Sequence, residues 1–400
     1  MRDVEQPVDV YERLADALDA LPSGFTRTPS RTEIELIKKV FTYEEAALAG
    51  QLTRAPETAA EISRRVGLDE ETVTVLLESM IPPRKVRADT LALETGVKGL
   101  GKVEASGSEK PETPTAKRYR LSPFLVGWFE SYLQESKPEN KEFARLYEQY
   151  VMEGGGEKIF APRPGPQGVI PYRGSLKPEW LEREPHNDVD AHFQRYDRFL
   201  VLDCVCKFEK AAAHGQSCEM PLKRCGFVGM PPAVPLSENV LPRDEAIELW
   251  EELDAMGTMV VEGFYGFTMG AESPQFVGGC HCCGCCCCIL NSARLDLDIK
   301  ETVQRSNYRV VKDHDKCIAC GECVRRCQSY AQTFDKTAAE KPAYHRDRCL
   351  GCGACVRGCP TSALALEPVS EEEWHDVASS FAEWEERRLQ SLAADKERRG

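Results

Sequence analysis

Cysteine carries most of the chemistry that this sequence could support. The chain has 400 residues and 19 cysteines, all between Cys204 and Cys359. Eight of them form an internal repeat. Cys317-x-x-Cys320-x-x-Cys323-x-x-x-Cys327 recurs as Cys349-x-x-Cys352-x-x-Cys355-x-x-x-Cys359-Pro360. Two-residue spacers let a backbone wrap one face of a compact metal group, so that three sulfurs converge on it. Thiolate is the soft ligand that iron–sulfur clusters, zinc and Cu(I) select. The count is odd, the chain is long, and the opening MRDVEQPV is too charged for a secretory signal, so a disulfide framework is not expected.

The repeat resembles the bacterial-type two-cluster ferredoxins. That resemblance implies two [4Fe–4S] clusters with crossed ligation, the fourth thiolate of each coming from the other repeat. It assigns Cys317, Cys320, Cys323 and Cys359 to one cluster, and Cys349, Cys352, Cys355 and Cys327 to the other. Gly321, Gly351, Gly353 and Ala354 leave room beside the thiols. The first repeat departs from the pattern, with Gln328 where the second keeps Pro360, and with Gln332 at a position expected to be apolar. Because proline there only helps turn the chain, ligation is expected to survive. Two zinc ribbons are the competing reading, but zinc sites use paired cysteines rather than a triplet plus one.

Eleven further cysteines lie upstream: Cys204, Cys206, Cys218, Cys225, and the run Cys280-His281-Cys282-Cys283-Gly284-Cys285-Cys286-Cys287-Cys288. With Asp203 before the first pair, this pattern is similar to a group of iron–sulfur proteins of anaerobic bacteria and archaea, over residues 33–365. On an extended segment neighbouring side chains point opposite ways, so one ion cannot take the whole run. The field is expected to bind an additional Fe–S cluster, with structural zinc or a redox-active thiol pair as the alternatives. The expected ligands are Cys204, Cys206, Cys218, Cys225, Cys280, Cys282, Cys283, Cys285 and Cys286. Gly278, Gly279 and Gly284 supply backbone freedom. His214 and His281 are left out, as a lone histidine is more often ordinary.

The elements that must position these thiols predict an α+β multidomain chain. Residues 1–150 read as a winged-helix-like helical domain. Glu33 to Ala49 is expected to be helical, the Thr58–Glu61 capping box opens a second helix, and Asp69 starts a third with Val73, Leu76, Leu77 and Met80 on its apolar face. Val86–Leu91 and Arg118–Leu121 are the expected wing strands, with a Gly/Ser/Pro-rich loop over 94–117 between them. Residues 151–195, rich in proline, read as an extended linker arm. Residues 196–305 form a central Cys-rich α/β domain, with a strand over Phe199–Val205 and a helix over Asp244–Met256. Residues 306–368 are the ferredoxin-like dicluster domain. Residues 369–400 form a terminal amphipathic helix opened by a capping box at Ser370, with Trp374, Val377, Phe381, Trp384 and Leu392 needing cover.

The formal net charge of −14 disfavours nucleic acid and anionic membranes. The third helix begins Asp69-Glu70-Glu71, where a DNA reader would place Lys or Arg. No apolar run reaches membrane-spanning length, and a cytoplasmic location is expected. Gly154-Gly155-Gly156 and Gly99-Leu100-Gly101 lack the strand–turn–helix setting of a phosphate cradle. The expected function is electron transfer, as a redox carrier or an oxidoreductase component. A redox- or iron-sensing transcription regulator and a reductase acting at the upstream centre are the alternatives. Redox proteins are the expected partners, with docking or oligomerisation through the helical amino-terminal part or the terminal helix.

Overall fold

The computed structural model describes residues 9–81, 85–89, 92–93, 103–104, 117–133, 139–263, 278–295, 303–334 and 341–399. The chain divides into two compact units, Met1–Ile159 and Phe160–Gly400.

In the first unit the helix expected over Glu33–Ala49 is two helices, Thr32–Val40 and Tyr43–Ala49. Phe41 is extended (φ −104°, ψ 133°), and Thr42 opens the second helix through a reciprocal capping box with Glu45. The Thr58–Glu61 box caps helix Ala59–Val66, left-handed Gly67 closes it, and Asp69 caps Glu70–Met80. Val73, Leu77 and Met80 are buried from that helix, whereas Leu76 is half-buried. Strand Arg118–Leu121 pairs antiparallel with both Val86–Asp89 and Glu57–Thr58. The strands expected for a wing therefore pair, while residues 94–102 and 105–116 of the loop lie outside the described residues. Helices Val10–Asp19 and Asn140–Met152 were not anticipated from the sequence. Around them Phe25, Phe124, Trp128 and Tyr150 meet edge to face or tilted in one aromatic core. Thr58→Ala removes a hydroxyl that accepts from Glu61 N, and should lower the urea midpoint of this unit by the equivalent of about 1 kcal/mol.

The second unit starts earlier than the sequence suggested. Residues 160–195 are not an extended arm. Pro166 and Pro171 bracket the proline-free stretch Gln167–Ile170, which is a buried strand. It pairs antiparallel with Met259–Gly263, which in turn pairs with Cys280–Cys282. A second sheet has Arg198–Asp203 between Lys223–Gly229 and Val240–Pro242. Helix Arg243–Ala255 joins the two sheets in one core, with Ala246, Trp250 and Leu253 against Ile170, Phe199, Val201, Phe227 and Val260.

The last part holds antiparallel strands Tyr308–Lys312 and Leu364–Pro368, with short helices Glu322–Arg325 and Ala354–Arg357. The terminal helix begins at Phe381, not beside Ser370. Asn307 takes the backbone groups that a helix there would use, donating to His375 O (2.8 Å) and accepting from His375 N (3.1 Å). Ser380 Oγ accepts from Glu383 N instead. This chain covers part of the helix itself. Trp384 donates to Gly165 O, and buried Arg388 donates to Pro162 O and Pro164 O, so prolines read as an arm serve as a docking strip. No described helix is long and apolar enough to cross a membrane.

Candidate metal centres

The repeat of the sequence is a repeat of the backbone. Residues 32 apart adopt the same left-handed φ: Ala319 and Gly351 (57° and 74°), Gly321 and Gly353 (77° and 75°), Tyr330 and Ser362 (56° and 51°). Such φ values suit glycine and cost a side chain energy, so Gly321, Gly351 and Gly353 favour the turn while Ala319, Tyr330 and Ser362 are held in it. The fourth thiol of each repeat is also matched. Cys327 Sγ accepts from Ala331 N (3.1 Å) and Gln332 N (3.4 Å), and Cys359 Sγ accepts from Ala363 N (3.2 Å). Backbone N–H groups aimed at sulfur stabilise thiolate and tune the potential of a bound cluster. They hold the Cys359 thiol below its usual range despite its burial.

Cys352 and Cys355 are pushed up, mainly by burial, Cys352 to about 12, and both lie in the field of Cys327 as well as of Cys349. Cys323 lies in the field of Cys317 and Cys320. Among the described residues, which include all 19 cysteines, there is no disulfide. The loops differ in exposure: Ile318 is 63% exposed, while its counterpart Leu350 is 1% exposed.

The upstream cysteines come from three places. Cys204 follows strand Arg198–Asp203 and stands at the N-cap position of helix Val205–His214, whose first turn holds Cys206. Cys218 follows that helix, and Cys225 lies on Lys223–Gly229. The 280–288 run is extended only over Cys280–Cys282. It then coils, with Cys287 N bonded to Cys283 O and Asn291 N to Cys287 O, and helix Cys288–Leu295 follows. The coil changes the expectation drawn from an extended run, because several neighbouring thiols can now face one point. Cys218, Cys283, Cys285 and Cys286 have sulfurs all within 4.8 Å of one another. A second set gathers round Cys206, which contacts Cys204, Cys287 and Cys288 (3.4 Å), while Cys282 contacts Cys287. Cys287 and Cys288 were missed at the sequence level, since only the helical turn reveals their direction. Cys225 and Cys280 are not in the Cys218 set.

Arg224 stands between the two sets. It is 1% exposed, and its Nη2 lies 3.2 Å from Cys283 Sγ and 3.5 Å from Cys204 Sγ. Burial works against its charge, but the two sulfurs favour it. Hydrogen bonds from Cys285 and Cys286, with Arg224 adding, hold Cys283 well below the usual thiol range. A hydrogen bond from Cys206 brings Cys204 down to about 7. His281 lies in strand Cys280–Cys282 beside the thiols. Its ring packs at 4.3 Å on Trp250, its Nδ1 meets Thr258 Oγ1 at 2.9 Å, and burial lowers it to about 3.

Side chains of the repeat reach the upstream field. Gln328 accepts from Gly284 N at 2.7 Å and donates to Gly257 O at 2.7 Å. Gly284 has to be glycine for this approach, as a Cβ there would stand 2.4 Å from Gln328 O. Buried Arg326 donates to Asp254 O and Ala255 O at the end of helix Arg243–Ala255, and to Ala354 O in the other repeat. A cation on carbonyls at a helix end is a favourable placement.

Paired free thiols in glycine-bearing loops with N–H donors on sulfur suit iron–sulfur ligation. Among curated proteins none matches this chain. Residues 316–363 match the family model of the 4Fe–4S dicluster domain, and together with the Cys-rich field this makes the chain an iron–sulfur protein.

Proposed function

We propose that this protein relays electrons through two [4Fe–4S] clusters between a soluble redox partner and a further iron–sulfur centre in the 204–288 field. Bound clusters would supply one-electron chemistry; the chain's own residues decide where electrons come in and leave. Cys317, Cys320, Cys323 and Cys359 would hold one cluster, and Cys349, Cys352, Cys355 and Cys327 the other. The partner would meet the first loop, where Cys320 and Ile318 are exposed, whereas Leu350 is covered. The observation that carries the reading is the Gln328 bridge. Gln328 is bonded covalently to Cys327 and by a hydrogen bond to Gly284, between Cys283 and Cys285. A proline at 328, as at 360, could not make that link.

Anaerobically purified protein should contain acid-labile sulfide and iron of about eight each for the repeat alone, and more with the upstream centre. Protein that holds zinc without sulfide would end the reading. Gln328→Pro tests the route itself. The turn already accepts proline in the second repeat, so both repeat clusters should persist in the spin-resonance spectrum. Two hydrogen bonds worth about 1 kcal/mol each are lost. Rapid-mixing reduction of the upstream iron should slow several-fold, while reduction of the repeat clusters keeps its rate. Equal upstream rates in both proteins would remove Gln328 from the route.

A further inference from the structure

We infer that the 204–288 field contains a discrete single-ion site, Cys218/Cys283/Cys285/Cys286, separate from the thiols around Cys206. It would take one tetrahedral ion of the zinc or ferrous-iron class. The inference deepens the metal-binding reading of the field proposed above and depends on it.

Sulfur spacing carries the distinction. Four thiolates about 2.3 Å from one ion stand roughly 3.8 Å apart along the edges of a tetrahedron. In a cubane each thiolate binds a different iron at a different corner, so the four sulfurs must stand farther apart. Cys218 and Cys283 lie 3.8 Å apart, and all four sulfurs of the set lie within 4.8 Å of one another. Among the described residues the eight thiols of the ferredoxin-like repeat form no such group, as cluster ligands should not. The thiols round Cys206 touch in pairs without converging on one point. Only the Cys218 set therefore has the four-sulfur spacing of a single-ion site.

The backbone separates the two sets. Cys282 and Cys283 are adjacent but belong to different sets, because the strand ends between them; Cys286 and Cys287 also part company. The Cys218 amide donates to Cys286 Sγ at 3.3 Å, which anchors the loop after helix Val205–His214 to the coil. Arg224 gives an independent reason to expect bound anionic groups. It is a buried cation whose Nε and Nη1 have no hydrogen-bond partner among the described residues. A lone buried cation is costly. Four thiolates on a divalent ion carry a net charge of about −2, and that charge beside Arg224 would offset the cost.

The test uses the full chain, grown and purified without air, with analysis of iron, zinc and labile sulfide and X-ray absorption at both metal edges. The wild type should hold one ion in an all-sulfur shell at about 2.3 Å beyond the iron that matches sulfide. Cys218→Ser with Cys286→Ser should lose that ion and keep all the sulfide. Cys206→Ser with Cys287→Ser should keep the ion. The absorption edge tells zinc from iron, and either supports the site. If the first variant loses sulfide as well, or if the wild type has no sulfur-bound ion outside its clusters, the single-ion site is overturned while metal binding by the field stands. A wild type with only the repeat's iron and sulfide would overturn metal binding by the field itself. The wild-type spectrum decides even if a variant fails to fold.

Discussion

Cys327→Ser is expected to empty the cluster of the repeat to which Cys327 does not belong in sequence. Cys352 and Cys355 both sit in the field of the Cys327 sulfur. Serine offers a harder oxygen in place of a soft thiolate, so iron attributable to the repeat should fall from about eight to about four per chain. Pairs of substitutions reveal which cluster is lost, since two changes at one site do not add. Cys327→Ser with Cys352→Ser should lose no more iron than either alone. Cys327→Ser with Cys320→Ser should lose both clusters. Uncrossed ligation predicts the reverse, so anaerobic iron and sulfide counts on these two double variants separate the schemes.

The repeat was legible because its signal is local. Spacing and glycine position set a loop whatever surrounds it, and the matched φ values at Gly321 and Gly353 follow the sequence match. The same holds for the Thr58 box and the Asp69 cap, which act within one turn. The upstream field was legible only as composition. Whether Cys283 to Cys287 is extended or coiled depends on where strand Cys280–Cys282 loses its partner Met259–Gly263, a contact about twenty residues away in sequence. Reading the run as extended left Cys287 and Cys288 out. The proline-rich stretch shows the same limit. Proline argued against regular structure, yet Gln167–Ile170 fits between two prolines and finds an edge to pair with. Gln328 looked like a lost proline, and only the nearness of Gly257 and Gly284 shows what the amide is for.

Asp254 should make the second unit less stable as pH rises from about 4 to about 7. Asp254 is 8% exposed and burial lifts its carboxyl to about 7, although a hydrogen bond with Trp250 and the charges of Arg357, Arg326 and Arg173 pull the other way. One carboxyl oxygen has no hydrogen-bond partner among the described residues and lies 3.8 Å from the neutral ring of His281. Across this window the folded chain keeps a proton that the unfolded chain, titrating near 3.8, gives up. The folded state binds more protons, so stability falls with pH, by roughly 4 kcal/mol for a shift of about three units. Buried His281, lowered to about 3, acts in the opposite direction below its ordinary value, because only the unfolded chain protonates it there. The difference between wild type and Asp254→Asn isolates the carboxyl. The amide carries no charge, so the variant should match the wild type near pH 4 and exceed it near pH 8, in anaerobic urea midpoints of the cluster absorbance. Infrared difference spectra should show a protonated carboxyl band that titrates near 7 in the wild type and is missing from the variant. A wild type whose midpoint advantage over the variant grows with pH would show Asp254 ionised in the fold, stabilised by Trp250 and the three arginines after all.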